Sequence, residues 1–198
     1  MADASESARR GPYAKTASRR AEIIASATAI FSTHGYQGGS LRQIARQLDL
    51  GLTTVMHHFP TKVALLAAVL DQEDSSDPDA EERSRRDGFI PMVIGIVERN
   101  LRRQELVRMF SIISAEATHP GHEAHAWLVN RYAAVTASYR DLIAYDRAAG
   151  RITTDRDPEL LAGIVVSGWE GIQIRWLADG TDPVEAMRTL LVDLLRPA

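Results

Sequence analysis

Residues Arg19–Leu66 read RRAEIIASATAIFSTHGYQGGSLRQIARQLDLGLTTVMHHFPTKVALL, and their periodicity decides the fold. Ile23, Ile24, Ala27, Ile30 and Phe31 recur on one face of a 3.6-residue repeat, which predicts a helix over 17–34. Gly35 follows where a left-handed C-terminal cap is needed. Ser40-Leu41-Arg42-Gln43 reads as a capping box: the Ser40 hydroxyl accepts from the Gln43 amide, and Gln43 reaches back. It opens a short helix with Leu41, Ile44, Ala45 and Leu48 on its inner stripe. Asp49-Leu50-Gly51 makes a turn, and a second short helix covers 52–58. With Val55 and Phe59 facing inward, the helical wheel turns Thr53 and His57 outward, flanked by Thr54 and Met56. Pro60-Thr61-Lys62 stops that helix and caps another carrying Val63, Leu66, Ala67 and Leu70. Two short helices joined by a tight turn are the minimum needed to place a helix in the major groove of DNA.

Charge supports a nucleic-acid partner at this end of the chain. The 198-residue protein has a formal net charge of −3. Residues 1–62 hold eight basic residues (Arg9, Arg10, Lys15, Arg19, Arg20, Arg42, Arg46, Lys62) against four acidic ones (Asp3, Glu6, Glu22, Asp49). That is +4, leaving −7 for the remainder. The chain has no cysteine, which removes thiolate catalysis, disulfides and thiolate metal sites and fits a reducing cytoplasm. No apolar run occurs near Asp3, Glu6 and the paired arginines, so no signal peptide is expected. The longest apolar stretch, near 160–174, is broken by Ser167, Gly168 and Glu170 and is no membrane span.

Residues 1–16 lack periodicity, contain Gly11-Pro12, and read as a disordered basic arm. The head proper is 17–70. Residues 71–87 (DQEDSSDPDAEERSRRD) are acidic and apolar-poor, and read as a linker or the end of the fourth helix. The body, 88–198, is helical throughout. Helices are expected over 89–101, 105–118 and 122–149, the last closed by Gly150. Asp157-Pro158 and Asp182-Pro183 each supply an N-cap followed by a first-turn proline for two final helices. The expectation is an all-α chain of about nine helices with no strand.

The head resembles the tetracycline-repressor (TetR) family of one-component bacterial regulators. The resemblance is carried by Ile23-Ile24, Ala27 through Phe31, His34-Gly35-Tyr36, Ser40 through Ala45, and Val55 through Lys62 (VMHHFPTK). Beyond Leu70 it is a likeness of architecture: a long helix, then two final helices of the kind that dimerise. It implies a homodimer that binds double-stranded, palindromic operator DNA and is released by a small-molecule effector. By matching position, Ser40 and Arg42 would meet phosphate or a nearby base, Leu52, Thr53 and Thr54 would lie at base edges, and His57 and Lys62 would hold the backbone. Asp49 stands where the family often has a glycine, and Gly51 where it often has a serine cap. Met56 and His58 stand in place of aromatics. Asp tolerates the left-handed turn, and Gly is an acceptable N-cap. Chemically, threonine hydroxyls beside Leu52 and Met56 suit base edges and thymine methyls. Helix N-termini at Leu41 and Lys62 offer backbone N–H groups to phosphate.

In the body, Met92, Ile96, Phe110, Ile113, Trp127, Tyr132 and Trp169 could line an apolar effector pocket between helices, or be core. Arg108, Glu116 and Tyr139 are candidates for polar specificity. His119, His122 and His125 lie three apart near Glu116 and Glu123, but His119 falls in a loop beside Pro120-Gly121. The other two suit capping or packing, so no metal or other cofactor is assigned. The helix from 157 to 180 carries Gly163, Ser167, Gly168 and Gly171, which favours close helix approach at a cost of roughly 1 kcal/mol per glycine. A four-helix dimer interface through Val165, Gly168, Ile172, Trp176, Leu190 and Leu194 is expected, with packing inside one chain as the other reading.

An effector wedged in the body would tilt the helix joining it to the head. That would spoil the spacing of about 34–36 Å between two recognition helices. Effector and DNA would then oppose each other by reciprocal linkage. Two other classes stay open: a helical ligand-binding protein or adaptor without operator binding, and a small helical enzyme. No GxSxG, HExxH, glycine-rich phosphate loop or spaced carboxylate pair favours the enzyme.

Overall fold

A computed structural model of the protein describes residues 12–74 and 80–198. Among the described residues there are ten helices, and the only bridge is an isolated antiparallel one between Ile152 and Pro197. The chain separates into two units, a head ending at Glu73 and a body beginning at Asp74.

The head comprises α1 (Pro12–Gly38), α2 (Leu41–Gln47), α3 (Leu52–His58) and α4 (Lys62–Asp74). Of the arm expected over 1–16, residues 1–11 lie outside the described residues, while 12–16 are already helix. Proline is pre-organised for a first helical turn, and Ala14, Lys15 and Ala17 then favour continuation. Inside α1, Gly35 has φ 68° and ψ 177°, a conformation essentially reserved for glycine, and it interrupts the helix where the sequence ends it. Ile23, Ala27, Phe31, Ile44, Val55, Phe59, Leu65 and Leu66 are buried together in the small core of this unit. A Cβ at Gly39 would stand 2.7 Å from two ring atoms of Phe31, so the chain passes that ring only as glycine.

The body comprises α5 (Ala80–Asp87), α6 (Phe89–Leu101), α7 (Gln104–Glu116), α8 (His125–Ala148), α9 (Pro158–Asp179) and α10 (Pro183–Leu195). The stretch 71–87, expected as a linker or the end of the fourth helix, is helical where it is described. Residues 71–74 end α4, 75–79 lie outside the described residues, and 80–87 form α5. Ala, Glu and Arg are strong helix formers even without an apolar stripe, and Ser84 supplies one buried face position. The long helix also begins later than expected, at His125. Pro120-Gly121 and the rings of His119 and His122, which accept from Gly121 N and Ala124 N at 3.1 Å, hold 117–124 in turns.

Phe89, Val93 and Val97 of α6, Ile143 of α8, Leu161 and Val165 of α9, and Met187, Leu191 and Leu195 of α10 form one buried cluster. Its keystone is polar. Asp146 of α8 is 2% exposed and accepts from Phe89 N (2.7 Å) and from Arg151 Nε (3.0 Å) and Nη2 (2.7 Å). Arg151 Nη2 also donates to the Arg85 carbonyl at 3.0 Å. One carboxylate therefore caps α6 while its arginine partner holds the end of α5. Between the two helices Gly88 turns the chain at φ 96°.

The cluster takes up part of the expected dimer face. Val165 is fully buried in its own chain, and a Cβ at Gly168 would overlap Leu190 Cδ2. Ile172, Leu190 and Leu194 pack against the same core. These residues contribute to packing within one chain, where α9 and α10 lie against each other. Trp176 is half-buried. The open apolar residues of these helices are instead Leu160 (57% exposed), Ile174 (55%) and Val192 (43%), with nothing near Gly163 or Gly171.

Candidate nucleic-acid interface

Local capping builds the site. Ser40, extended at its own φ and ψ, accepts from Gln43 N at 3.2 Å and starts α2. Asp49 takes the left-handed conformation (φ 51°), and Leu50 N donates to Ala45 O at 2.8 Å, closing the turn. Gly51 is the N-cap of α3 and has no side chain to contribute. The first helical bond of α3 is made instead by Thr54 N to Gly51 O at 3.0 Å. Thr61 Oγ1 accepts from Ala64 N at 3.0 Å and starts α4.

Val55 and Phe59 are buried beneath α3, so the opposite face is set by the wheel: Thr53, Thr54, Met56 and His57 are exposed and Leu52 is half-buried. Met56, 45% exposed, is a large apolar side chain held in solvent. Ser40, Arg42 and Arg46 are exposed on α2 and its cap. Lys62 is half-buried, with Nζ 4.1 Å from the centre of the Tyr36 ring, and burial lowers its pKa from the usual lysine value. Its charge is thereby positioned by an aromatic residue outside α4.

Three contributors escape helix-by-helix reading. Arg20 donates to the His58 carbonyl at 3.3 Å and stacks its guanidinium 4.2 Å from the Phe59 ring centre, tying α1 to the end of α3. Tyr36 carries Lys62, and Gly39 clears Phe31. His58 and Phe59 lie 38 and 39 positions from Arg20, and no periodicity selects those pairs. His58 lies edge-to-face with His57 at 5.6 Å. Burial chiefly, then the charges of His57, Arg20 and Arg19, lower its pKa below 6.5.

Of the expected effector residues, Met92 and Ile96 line one cleft, of about 910 Å³ between α5, α6 and α8, and the others lie outside it. Phe110 and Trp127 instead form an edge-to-face pair (6.4 Å) with the Arg131 guanidinium 5.1 Å from the Phe110 ring. Ile113 is core. The Tyr132 hydroxyl donates to Glu170 Oε1. Burial first, then that carboxylate, push its pKa up to about 12. Trp169 packs against the body core. Of the three polar candidates, Tyr139 lines the cleft, Arg108 pairs with Glu105 at 3.5 Å, and Glu116 lies 3.9 Å from His122 Nε2. His119, His122 and His125 use their Nδ1 atoms on nearby backbone, the last on Ala117 O at 2.9 Å. Among the described residues no group of three or more potential metal ligands occurs.

A helix-turn-helix head on an all-helical body defines a class of DNA-binding regulator. Residues 23–69 match the family model described as bacterial regulatory proteins, tetR family. The chain is 31% identical over 94 residues to the HTH-type transcriptional repressor KstR of Mycobacterium tuberculosis, covering 45% of this chain and 43% of that protein. It is 21% identical over 187 residues to the HTH-type transcriptional repressor DhaR of Mycobacterium sp. strain GP1, covering 90% and 93%. The fold is that of a TetR-family transcriptional regulator from Rhodococcus sp., with a TM-score of 0.70 at 22% identity over 89% and 96% of the two chains. It is shared also by the TetR-family repressor FadR of Thermus thermophilus, solved with lauroyl-CoA (TM-score 0.64, 19% identity, 87% and 91% covered). By the family-model match the head is similar to the tetR family of bacterial regulatory proteins. The match to KstR spans less than half of that protein's length.

Proposed function

We propose that the protein is a sequence-specific transcriptional regulator, a homodimeric repressor that leaves a palindromic operator when a small molecule binds its body. The observation that carries this reading is the solvent-facing side of α3. Thr53, Thr54, Met56 and His57 are held outward by the buried Val55 and Phe59, beside exposed Arg42. Hydroxyls and a thioether on a short, firmly seated helix can read base edges and thymine methyls, while Arg42, His57 and Lys62 set register on phosphates. Relatives named as repressors, and a shared fold solved elsewhere with an acyl thioester, support the regulatory and effector-bound parts.

For the dimer, the open apolar positions Leu160 and Ile174 of α9 and Val192 of α10 support a twofold contact through this face. Gly163, Ser167 and Gly171 of α9 accompany them. No helix among the described residues is long and apolar enough to cross a membrane. We place the protein in the cytoplasm, with the DNA it reads.

Selection of binding sites from random double-stranded DNA, at two salt concentrations, tests the reading. An enriched palindrome whose affinity falls steeply with salt is the expected result. Arg42→Ala is expected to weaken that site about tenfold and to lower the salt slope by about one unit. No enrichment at low salt removes operator binding and leaves a helical ligand-binding protein.

A further inference from the structure

We infer that the cleft between α5, α6 and α8 binds an organic anion whose carboxylate or phosphate head is joined to an apolar tail. The inference deepens the effector reading above by naming the chemical class. The body from residue 74 onward is acidic, with fifteen arginines against twenty aspartates and glutamates. Its cleft departs from that balance: Arg83, Arg85, Arg99 and Arg102 line it, with only Asp87 and Asp141 as acids.

Both acids are already held by arginines outside the lining. Asp87 accepts from Arg86 at 2.8 and 3.0 Å, and Asp141 accepts from Arg140 at 2.8 Å. Arg99 and Arg102 sit three residues apart at the end of α6, on one face. Among the described residues neither has a carboxylate partner. Planar guanidinium forks match carboxylate and phosphate oxygens.

Part of the lining is apolar. Along α6 the cleft positions run Met92, Ile96, Arg99, Arg102, a single stripe that changes from hydrocarbon to cation over about 15 Å of helix. Leu142 and the Tyr139 ring, edge-on against Phe89 at 5.1 Å, also line the cleft. A head at Arg99 and Arg102 therefore leaves room for a tail of roughly ten carbons beside Ile96 and Met92. The cleft volume, about 910 Å³, lies within the usual range for small-ligand sites.

Isothermal titration of the full chain, without DNA, with decanoate, decyl phosphate and decanol below their micellar concentrations tests this. One decanoate or decyl phosphate per chain is expected, with decanol at least tenfold weaker; the tighter of the two anions assigns the head group. R99Q/R102Q is expected to lose at least tenfold for the anions and leave decanol unchanged. R99E/R102E is expected to prefer decyltrimethylammonium, a readout that a folded variant alone can give. Equal binding of decanol and the anions, anion binding untouched by R99Q/R102Q, or no anion binding overturns the inference. Because DNA is absent, each result stands apart from the operator selection.

Discussion

The head and the body hold their helix ends by different means. In the head the side-chain caps at helix starts come from the next turn: Ser40 serves Gln43 and Thr61 serves Ala64. The body uses the same device at α9 and α10, where Asp157 and Asp182 accept from amides two or three residues on. It starts α6 otherwise, with a buried carboxylate 57 residues away. Helices of seven residues, such as α2 and α3, are too short to persist unaided, so their ends must be defined locally before they dock. A thirteen-residue helix such as α6 can leave its first amide to be satisfied when the bundle closes. The difference assigns the head a geometry written residue by residue, and the body one that exists only once distant segments meet.

That contrast can be broken most sharply at Asp146. Asp146→Ala strips Phe89 N of its acceptor and Arg151 of its partner. It is expected to cost about 3 kcal/mol. All three tryptophans, Trp127, Trp169 and Trp176, belong to the body, so tryptophan fluorescence during urea unfolding reads that unit. A midpoint shift corresponding to less than about 1 kcal/mol would show that the distant cap contributes little beyond an ordinary hydrogen bond.

Gly39→Ala probes the head in the same way. The added carbon meets a fully buried Phe31 ring, and a loss of about 2 kcal/mol is expected. It should appear in far-ultraviolet circular dichroism and leave the tryptophan transition in place. Loss of both signals together would show the two units unfolding as one.

The smallest effect is at His58. Its folded-state pKa lies below the unfolded 6.5, so the unfolded chain takes up the proton first. The contribution to stability is complete above pH 6.5 and is lost as pH falls toward the depressed folded value. Melting the protein between pH 7.5 and 5.5 should show a decline that is shallower in His58→Gln. An equal decline in both would place the pH sensitivity elsewhere.

Much of the head was legible because its determinants lie within a few residues of one another. The break at Gly35, the Ser40 cap and the outward turn of Thr53 and His57 follow from spacing, and left-handed Asp49 from the family resemblance. The contacts of Arg20 with Phe59 and of Gly39 with Phe31 did not, since a helical wheel identifies a buried face without naming the surface that covers it. The same limit governs the body. Phe110, Trp127 and Met92 all read as inward, yet the first two pair with each other while Met92 faces a cleft. On α9 the wheel placed Val165 and Gly168 correctly on an apolar side, but that side meets α10 of the same chain. Residues 80–87 misled for a different reason: their composition signals solvent, and solvated helices have that composition too.

Gly39 also has a genetic reading. Every amino-acid replacement there brings at least a Cβ, so no missense change is mild at a position that carries no side chain and no charge. If the operator reading holds, a screen for spontaneous derepressed strains would recover Gly39 repeatedly alongside direct contact residues. Gly163, with open space around its Cβ position, should be missing from such a collection unless a second copy of the chain occupies that space. The distribution of recovered alleles would thus map the tight passage in the head and test the proposed twofold contact of α9 without purifying the protein.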